Sequence, residues 1–228
     1  EMEFNRLLSL VISTYGEPDL LKNNKTSSVL EKQTSISNKN YYLINNESEI
    51  DKWLKEAEEN GEIAIDTETT SLNPHLAALV GISLSTNIGS ACYIPIGHKK
   101  GKCLNQEKVI KKLKPILEDE SIKKIGQNIK FDFIVLKHRG IKMNSMEDTM
   151  LMSYVLDAGK NRHNMDILSE IHLNHKTITF KDLVGSGKKE INFSEVEINK
   201  AMRYAAEDAD ITYRLYKIFQ KNLKLEKL

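Results

Sequence analysis

Past residue 40, apolar positions recur by turns at the period of a strand and the period of a helix. Residues 41–44 and 62–66 read as strands, the second ending in Asp66. Residues 79–85 and 90–96 predict two more, joined by a turn at Asn87-Ile88-Gly89, and 122–126 a fifth. Asn46 or Ser48 can cap a helix that runs to Asn60, with Gly61 as its stop. Further helices are predicted over 106–117, 129–139, 149–156 and 165–173. The longest covers 198–223, where Met202, Ala205, Ala209, Thr212, Tyr216, Phe219 and Leu223 recur at spacings of three and four and form one buried stripe. This alternation predicts an α/β fold, a mixed β-sheet flanked by helices. Upstream the pattern changes. Residues 4–12 could form one amphipathic helix, Gly16-Glu17-Pro18 breaks it, and 23–40 is polar, too poor in apolar side chains to order itself. The expected division is a leading piece with a linker, 1–39, and a domain, 40–228.

Composition narrows the class. The chain has 228 residues, 33 basic and 32 acidic, with 40% hydrophobic and 29% charged side chains. That suits a soluble globular protein large enough to bury a core. A net charge of +1 excludes a histone-like mode of binding, but an acidic site and a basic groove would cancel in the same sum. Lysines outnumber arginines 28 to 5, which we read as compositional bias rather than a nucleic-acid surface. No apolar run reaches the ~18–20 residues of a membrane helix, and the start carries no secretory signal. Cys92 and Cys103 form no CxxC, so neither a disulfide framework nor a cysteine zinc site is expected. A reducing, cytoplasmic location follows.

Three acidic constellations end these elements. Asp66-Thr67-Glu68 closes a strand, and residues two apart in extended chain point to one face. Asn128 and Asp132 sit at i and i+4 where a strand passes into a helix, and the apolar neighbours Phe131, Phe133 and Ile134 demand a partner for the acid. Tyr204 and Asp208 lie one turn apart on the long helix, which Ala201, Ala205, Ala206 and Ala209 keep slim. Singly each also fits solvated acids and caps. Together Asp66, Glu68, Asp132 and Asp208 offer oxygen ligands of the kind Mg²⁺ and Mn²⁺ take. Two such ions ~3.5–4 Å apart can activate water and stabilise a phosphodiester leaving oxygen.

The ordered set Asp66-x-Glu68, Asn128-x-x-x-Asp132 and Tyr204-x-x-x-Asp208 resembles the three exonuclease motifs of the DEDD superfamily, in its tyrosine-bearing branch. From about residue 41 to 223 the chain resembles the 3′–5′ proofreading exonuclease domain of bacterial DNA polymerase I. The stretches 64–69, 93–98, 162–168, 175–180 and 204–210 carry that likeness. The resemblance implies a ribonuclease H-like exonuclease fold and two divalent ions, Mg²⁺ or Mn²⁺, with Zn²⁺ an alternative at one site. It implies that Asp66 bridges both ions, that Glu68 and Asp208 complete the first, and that Asp132 holds the second largely through water. Glu68 would also touch the terminal 3′-hydroxyl, and Tyr204 would orient the attacking water. Leu72 would wedge beside the terminal base, with Gln127, Asn128, Phe131, Arg162, Met165 and Phe180 lining a single-strand groove. For Leu72, Met165 and Phe180, core packing is the alternative. Phe131 stands where many relatives carry tyrosine. The implied partners are a single-stranded DNA 3′ end and the polymerase and 5′-nuclease domains of a parent chain, with no membrane and a monomeric state.

Other features read as structural. Asp148-Thr149 caps a helix. His172 and His175 lack further zinc ligands. Lys188-Lys189 after Gly185-Ser186-Gly187 lacks the spacing of a phosphate-binding loop and reads as a solvated basic loop. Glu207 and Asp210 read as acids complementing a helix macrodipole. Two rival functions stand beside exonuclease: an exoribonuclease of the same superfamily, and a scaffold domain whose site no longer turns over.

Overall fold

Strand β2 (Glu62–Thr69) shows how side-chain alternation assigns the two faces of the sheet. Ile63 and Ile65 enter one core and Ala64 the other. The computed structural model describes residues 13–14, 39–187 and 190–228. Ser13 and Thr14 are helical and belong to a unit of their own, Glu1–Thr34; Ser35–Leu228 forms the second. The predicted helix over 4–12, nearly all of the polar linker, and Lys188-Lys189 lie outside the described residues.

The second unit is built on a six-stranded sheet of β1 (Asn40–Leu43), β2, β3 (Leu79–Asn87), β4 (Ser90–Pro95), β5 (Lys123–Gly126) and β6 (Met146–Asp148). Their order is β1-β4-β3-β2-β5-β6. β2, β3 and β4 form an antiparallel meander; β1 joins β4 in parallel, and β5 and β6 extend in parallel from β2. Central strand β3 is buried at every position but Asn87, because both faces are covered. On one face Ile63, Ile65, Ile82, Leu84, Cys92 and Ile94 meet α1 (Ile50–Asn60), α2 (Gln106–Glu118) and α3 (Lys130–Lys137). On the other, Ala64 and Ile125 meet α4 (Thr149–Asp157), α5 (Met165–Leu173) and the long α7 (Ile198–Glu226). Short α6 (Phe180–Val184) lies between α5 and α7 in sequence.

The expected mixed sheet flanked by helices is therefore present, and most predicted elements agree within a few residues. Gly61 ends α1 in the left-handed region at φ 68°, where a residue without Cβ is unstrained. Ala201, Ala205, Ala206 and Ala209 on α7 are fully buried against the sheet. The single stripe predicted for α7 is wider in fact, since every residue from Ala205 to Tyr213 is buried. Strand β6 and helix α6 escaped the periodicity, being only 3 and 5 residues long.

Asn128 departs from expectation. It lies outside α3 with φ 58°, so it shares no helical face with Asp132. Its N–H donates to Asp148 Oδ1 at 3.0 Å and that of Ile129 to Oδ2 at 3.1 Å. Asp148 also accepts from Met150 N and Leu151 N at the start of α4, and so caps as predicted. The expected macrodipole role of Glu207 and Asp210 also fails, because both lie beyond the first turn of α7, where the effect fades, and both are buried. Asp210 is fully buried and accepts from Tyr41 Oη, Gly89 N and Arg214 Nε at 2.7–2.9 Å. It ties β1 and the β3–β4 turn to α7.

Candidate active site

Asp66 and Glu68 follow Ala64 on the face of β2 that looks toward α7, and α7 brings Asp208 to meet them. Ligand oxygens of Asp66, Glu68 and Asp208 all lie within 4.8 Å of one another. These acids join a cavity of about 550 Å³ whose described lining residues include Leu72, Phe131, Met165, Phe180, Phe193 and Tyr204. Among the described residues lining it there is no lysine or arginine.

No described cation lines the cavity to offset that charge, and the acids show it. Burial pushes the Asp66 carboxyl up to about 6. Burial, then the charges of Asp66, Asp208 and Asp132, hold the Glu68 carboxyl well above its usual range. Asp208 is raised by burial and by Asp66, against a lowering hydrogen bond from the Tyr204 hydroxyl one turn earlier. Glu68 Oε1 is buried with no hydrogen-bond partner among the described residues, and so is Ser83 Oγ; Ser83 pairs with Asp66 across the β2–β3 ladder. A buried carboxylate oxygen left without a donor is costly unless a cation takes it. Three converging carboxylates with one orphan oxygen fit a hard divalent ion.

Asp132 stands beside this cluster rather than in it. The residue is 3% exposed, and its Oδ1 accepts from Thr67 N at 2.9 Å and Thr67 Oγ1 at 2.6 Å. β5 pairs with β2 only as far as Ala64, so beyond it this edge of β2 is open, and α3 places Asp132 there. Burial and the charge of Asp66 raise the carboxyl, while both Thr67 bonds lower it. Thr67, read earlier as a spacer, thus links two acidic motifs.

The residues expected to line a groove divide. Leu72, Phe131, Met165 and Phe180 line the cavity, with Leu72 91% exposed on the β2–β3 loop. Gln127, Asn128 and Arg162 do not line it. Gln127 is engaged in the scaffold, its Nε2 donating to His163 O at 2.8 Å and its Oε1 accepting from Thr149 Oγ1 at 2.5 Å. Phe193 was missed. It stacks on Phe180 at 6.3 Å between centroids and 9° between planes, and both rings adjoin Tyr204. Asn192 before it donates to Thr70 O at 2.8 Å, tying this wall to the end of β2. Asn192-x-x-Glu195 has the form of a capping box, the one signal in the sequence for that turn.

The fold, with its acidic cleft, is that of the ribonuclease H-like exonucleases. The 3′–5′ exonuclease family profile matches residues 41–224. DNA polymerase I of Rhizobium leguminosarum is 42% identical over 204 residues, covering 80% of this chain and 20% of that protein. The Pseudomonas aeruginosa DNA polymerase I is 40% identical over 194 residues, covering 81% and 21%. Among solved structures, Brucella melitensis NrnC superposes with a TM-score of 0.62 at 26% identity, covering 82% of this chain and 83% of that one. The chain belongs to the family of 3′–5′ exonuclease domains found in DNA polymerase I. It spans about a fifth of the length of the curated relatives it matches. Among the described residues no helix is long and apolar enough to cross a membrane.

Proposed function

We propose that this domain hydrolyses the terminal phosphodiester at the 3′ end of single-stranded or frayed DNA, releases 5′-mononucleotides, and proofreads for a DNA polymerase I. The observation that carries the reading is the convergence of Asp66, Glu68 and Asp208 around the unpartnered Oε1 of Glu68. Family membership supplies the reaction class, and NrnC has been solved with bound Mg²⁺.

Asp66, Glu68 and Asp208 would hold one divalent ion, and Asp66 with Asp132 a second, Asp132 acting largely through water. Mg²⁺ or Mn²⁺ suits these oxygens, with Zn²⁺ the alternative at one position. Bound there, such ions lower the pKa of water and stabilise charge on the phosphate. The side chains do the rest. Thr67 occupies one oxygen of Asp132 and would leave the other for the second ion. Tyr204 donates its hydroxyl proton to Asp208, which leaves the phenol oxygen free to accept a hydrogen bond from the attacking water and so orient it. Phe180 offers a ring face for the terminal bases, and Leu72 a wedge against them; stacking of this kind is indifferent to sequence. The polymerase and 5′-nuclease domains would stand in the same parent chain and deliver the frayed end.

Matched DNA and RNA single strands of one sequence test the substrate. The proposal expects faster shortening of DNA, and loss of activity by orders of magnitude in Asp66→Ala protein that remains folded. Equal or faster shortening of RNA would make the domain an exoribonuclease. A fully active Asp66→Ala would remove the assignment of that residue.

A further inference from the structure

Glu207 follows the long-helix tyrosine by three residues and precedes Asp208, yet its side chain does not enter the acidic cluster. It is 3% exposed and meets three donors from two remote parts of the chain. Oε1 accepts from Lys39 Nζ at 2.6 Å and lies 3.0 Å from His175 Nε2; Oε2 accepts the backbone N–H of Ile178 at 2.7 Å. Those bonds hold the carboxyl below its usual range despite burial, so it is an anion. The segment 174–179 that it grips is also tied to Lys39, whose Nζ lies 3.2 Å from His175 Nε2, and to α5. His175 O accepts from Ser169 Oγ at 2.9 Å, and Thr177 Oγ1 donates to Asp166 Oδ1 at 2.6 Å. Two residues after Ile178 the chain turns into α6 at Phe180, through a capping box between Thr179 and Asp182.

From this geometry we propose that Glu207 is a positioning residue for substrate. By anchoring the amide of Ile178 and the ring of His175 to α7, it fixes where Phe180 stands over the cavity. The inference rests on the reading of that cavity as a site for nucleic-acid bases. Phe180 is 43% exposed and packs on Phe193 and Tyr204, so one part of its ring is fixed and the rest is open to a ligand. The same helix turn therefore holds the reacting-phosphate end through Asp208 and the base end through Glu207.

Glu207→Gln tests this. A glutamine has one acceptor and one donor terminus, so either Lys39 and His175 or Ile178 N loses its acceptor in every rotamer. The expected result is a KM for single-stranded DNA raised on the order of tenfold, comparable with loss of one base stack in Phe180→Ala. The kcat and the half-saturating Mn²⁺ should stay within about twofold, because Asp208 is untouched. The double variant Glu207→Gln/Phe180→Ala should bind no worse than Phe180→Ala alone, since one residue acts through the other. Hydrogen exchange at the Ile178 amide should accelerate in Glu207→Gln, a readout independent of turnover. His175→Gln and Lys39→Met approach the same contact from the donor side and leave α7 intact if the glutamine variant fails to fold; both should raise KM in the same direction. Multiplying effects in the double variant, or a fall in kcat with a higher metal requirement, would overturn the proposal while leaving the nuclease reading in place. Wild-type protein that neither binds nor shortens the DNA would remove that reading, and this inference with it.

Discussion

Metal-free protein should become less stable as pH rises from 5 to 7.5, opposite to the trend that ordinary salt-bridged carboxylates give. Asp66 is pushed up to about 6 in the folded chain, against roughly 3.9 when unfolded. The folded state binds this proton more tightly, so the associated stability is complete below pH ~4 and lost as pH passes through 6. Two units correspond to about 3 kcal/mol in full, of which about half, ~1.4 kcal/mol, survives at pH 5. Glu68, Asp132 and Asp208 are shifted in the same direction and add to it. At ~2–4 °C per kcal/mol for a chain of this size, Asp66 alone lowers Tm by about 3–6 °C between pH 5 and 7.5. Glu207 is shifted the other way, and its contribution falls away only below its unfolded pKa of about 4.3, outside this window; His98 and His172, whose imidazoles burial lowers, gain stability with rising pH inside it and are common to wild type and variant. The assay is denaturant unfolding in chelator at several pH values, for wild type and Asp208→Asn. The variant removes one of the clustered charges. It should be the more stable protein at pH 7.5, with a flatter slope. Saturating Mg²⁺ should restore more stability at pH 7.5 than at pH 5, and little in Asp208→Asn. A wild-type profile that does not fall relative to the variant's as pH rises in chelator would refute the reasoning.

Three further outcomes follow from single contacts. Thr67→Val removes the hydroxyl 2.6 Å from Asp132 but keeps the backbone donor; a bond to a charged group is worth ~1.5–3 kcal/mol, so kcat/KM should fall roughly ten- to a hundredfold and Thr67→Ser should recover it. Unchanged kinetics in Thr67→Val would show that Asp132 needs no such support. Tyr204→Phe should cut kcat roughly ten- to a hundredfold, less than Asp66→Ala does, with metal binding retained in calorimetry. Gly81→Ala would drive a Cβ into the ring and hydroxyl of Tyr93, which is held 2.7 Å from His98 Nε2; unfolding should show a loss of ~1–3 kcal/mol, and a neutral change would contradict the packing.

Much of this architecture is legible in the sequence because it depends on local period. Helix α5 has the predicted bounds, 165–173, and β2 ends in acids as expected because strand alternation alone sends Asp66 and Glu68 to one face. What depends on remote pairing is not legible. Thr67 reaches across 65 residues to Asp132, Asp210 across 121 to Gly89, and Glu207 across 168 to Lys39. Each looks, in its own neighbourhood, like a spacer or a surface acid on a helix. Asn128 was misplaced for a related reason. It stands four positions before Asp132, but the left-handed turn at Asn128 starts the helix later and puts Asn128 outside it. Gln127 and Arg162, expected in the groove through family likeness, are not among the residues lining the cavity, whereas Phe193, buried and unremarked in the sequence, is.

The most direct measurement is release of mononucleotide from a 5′-labelled single-stranded DNA, with Mg²⁺, with Mn²⁺ and with chelator. The account predicts a ladder that shortens from the 3′ end only when metal is present, with 5′-mononucleotide as product. Folded protein that yields no ladder with either metal would contradict it and favour a scaffold domain in spite of its intact carboxylates.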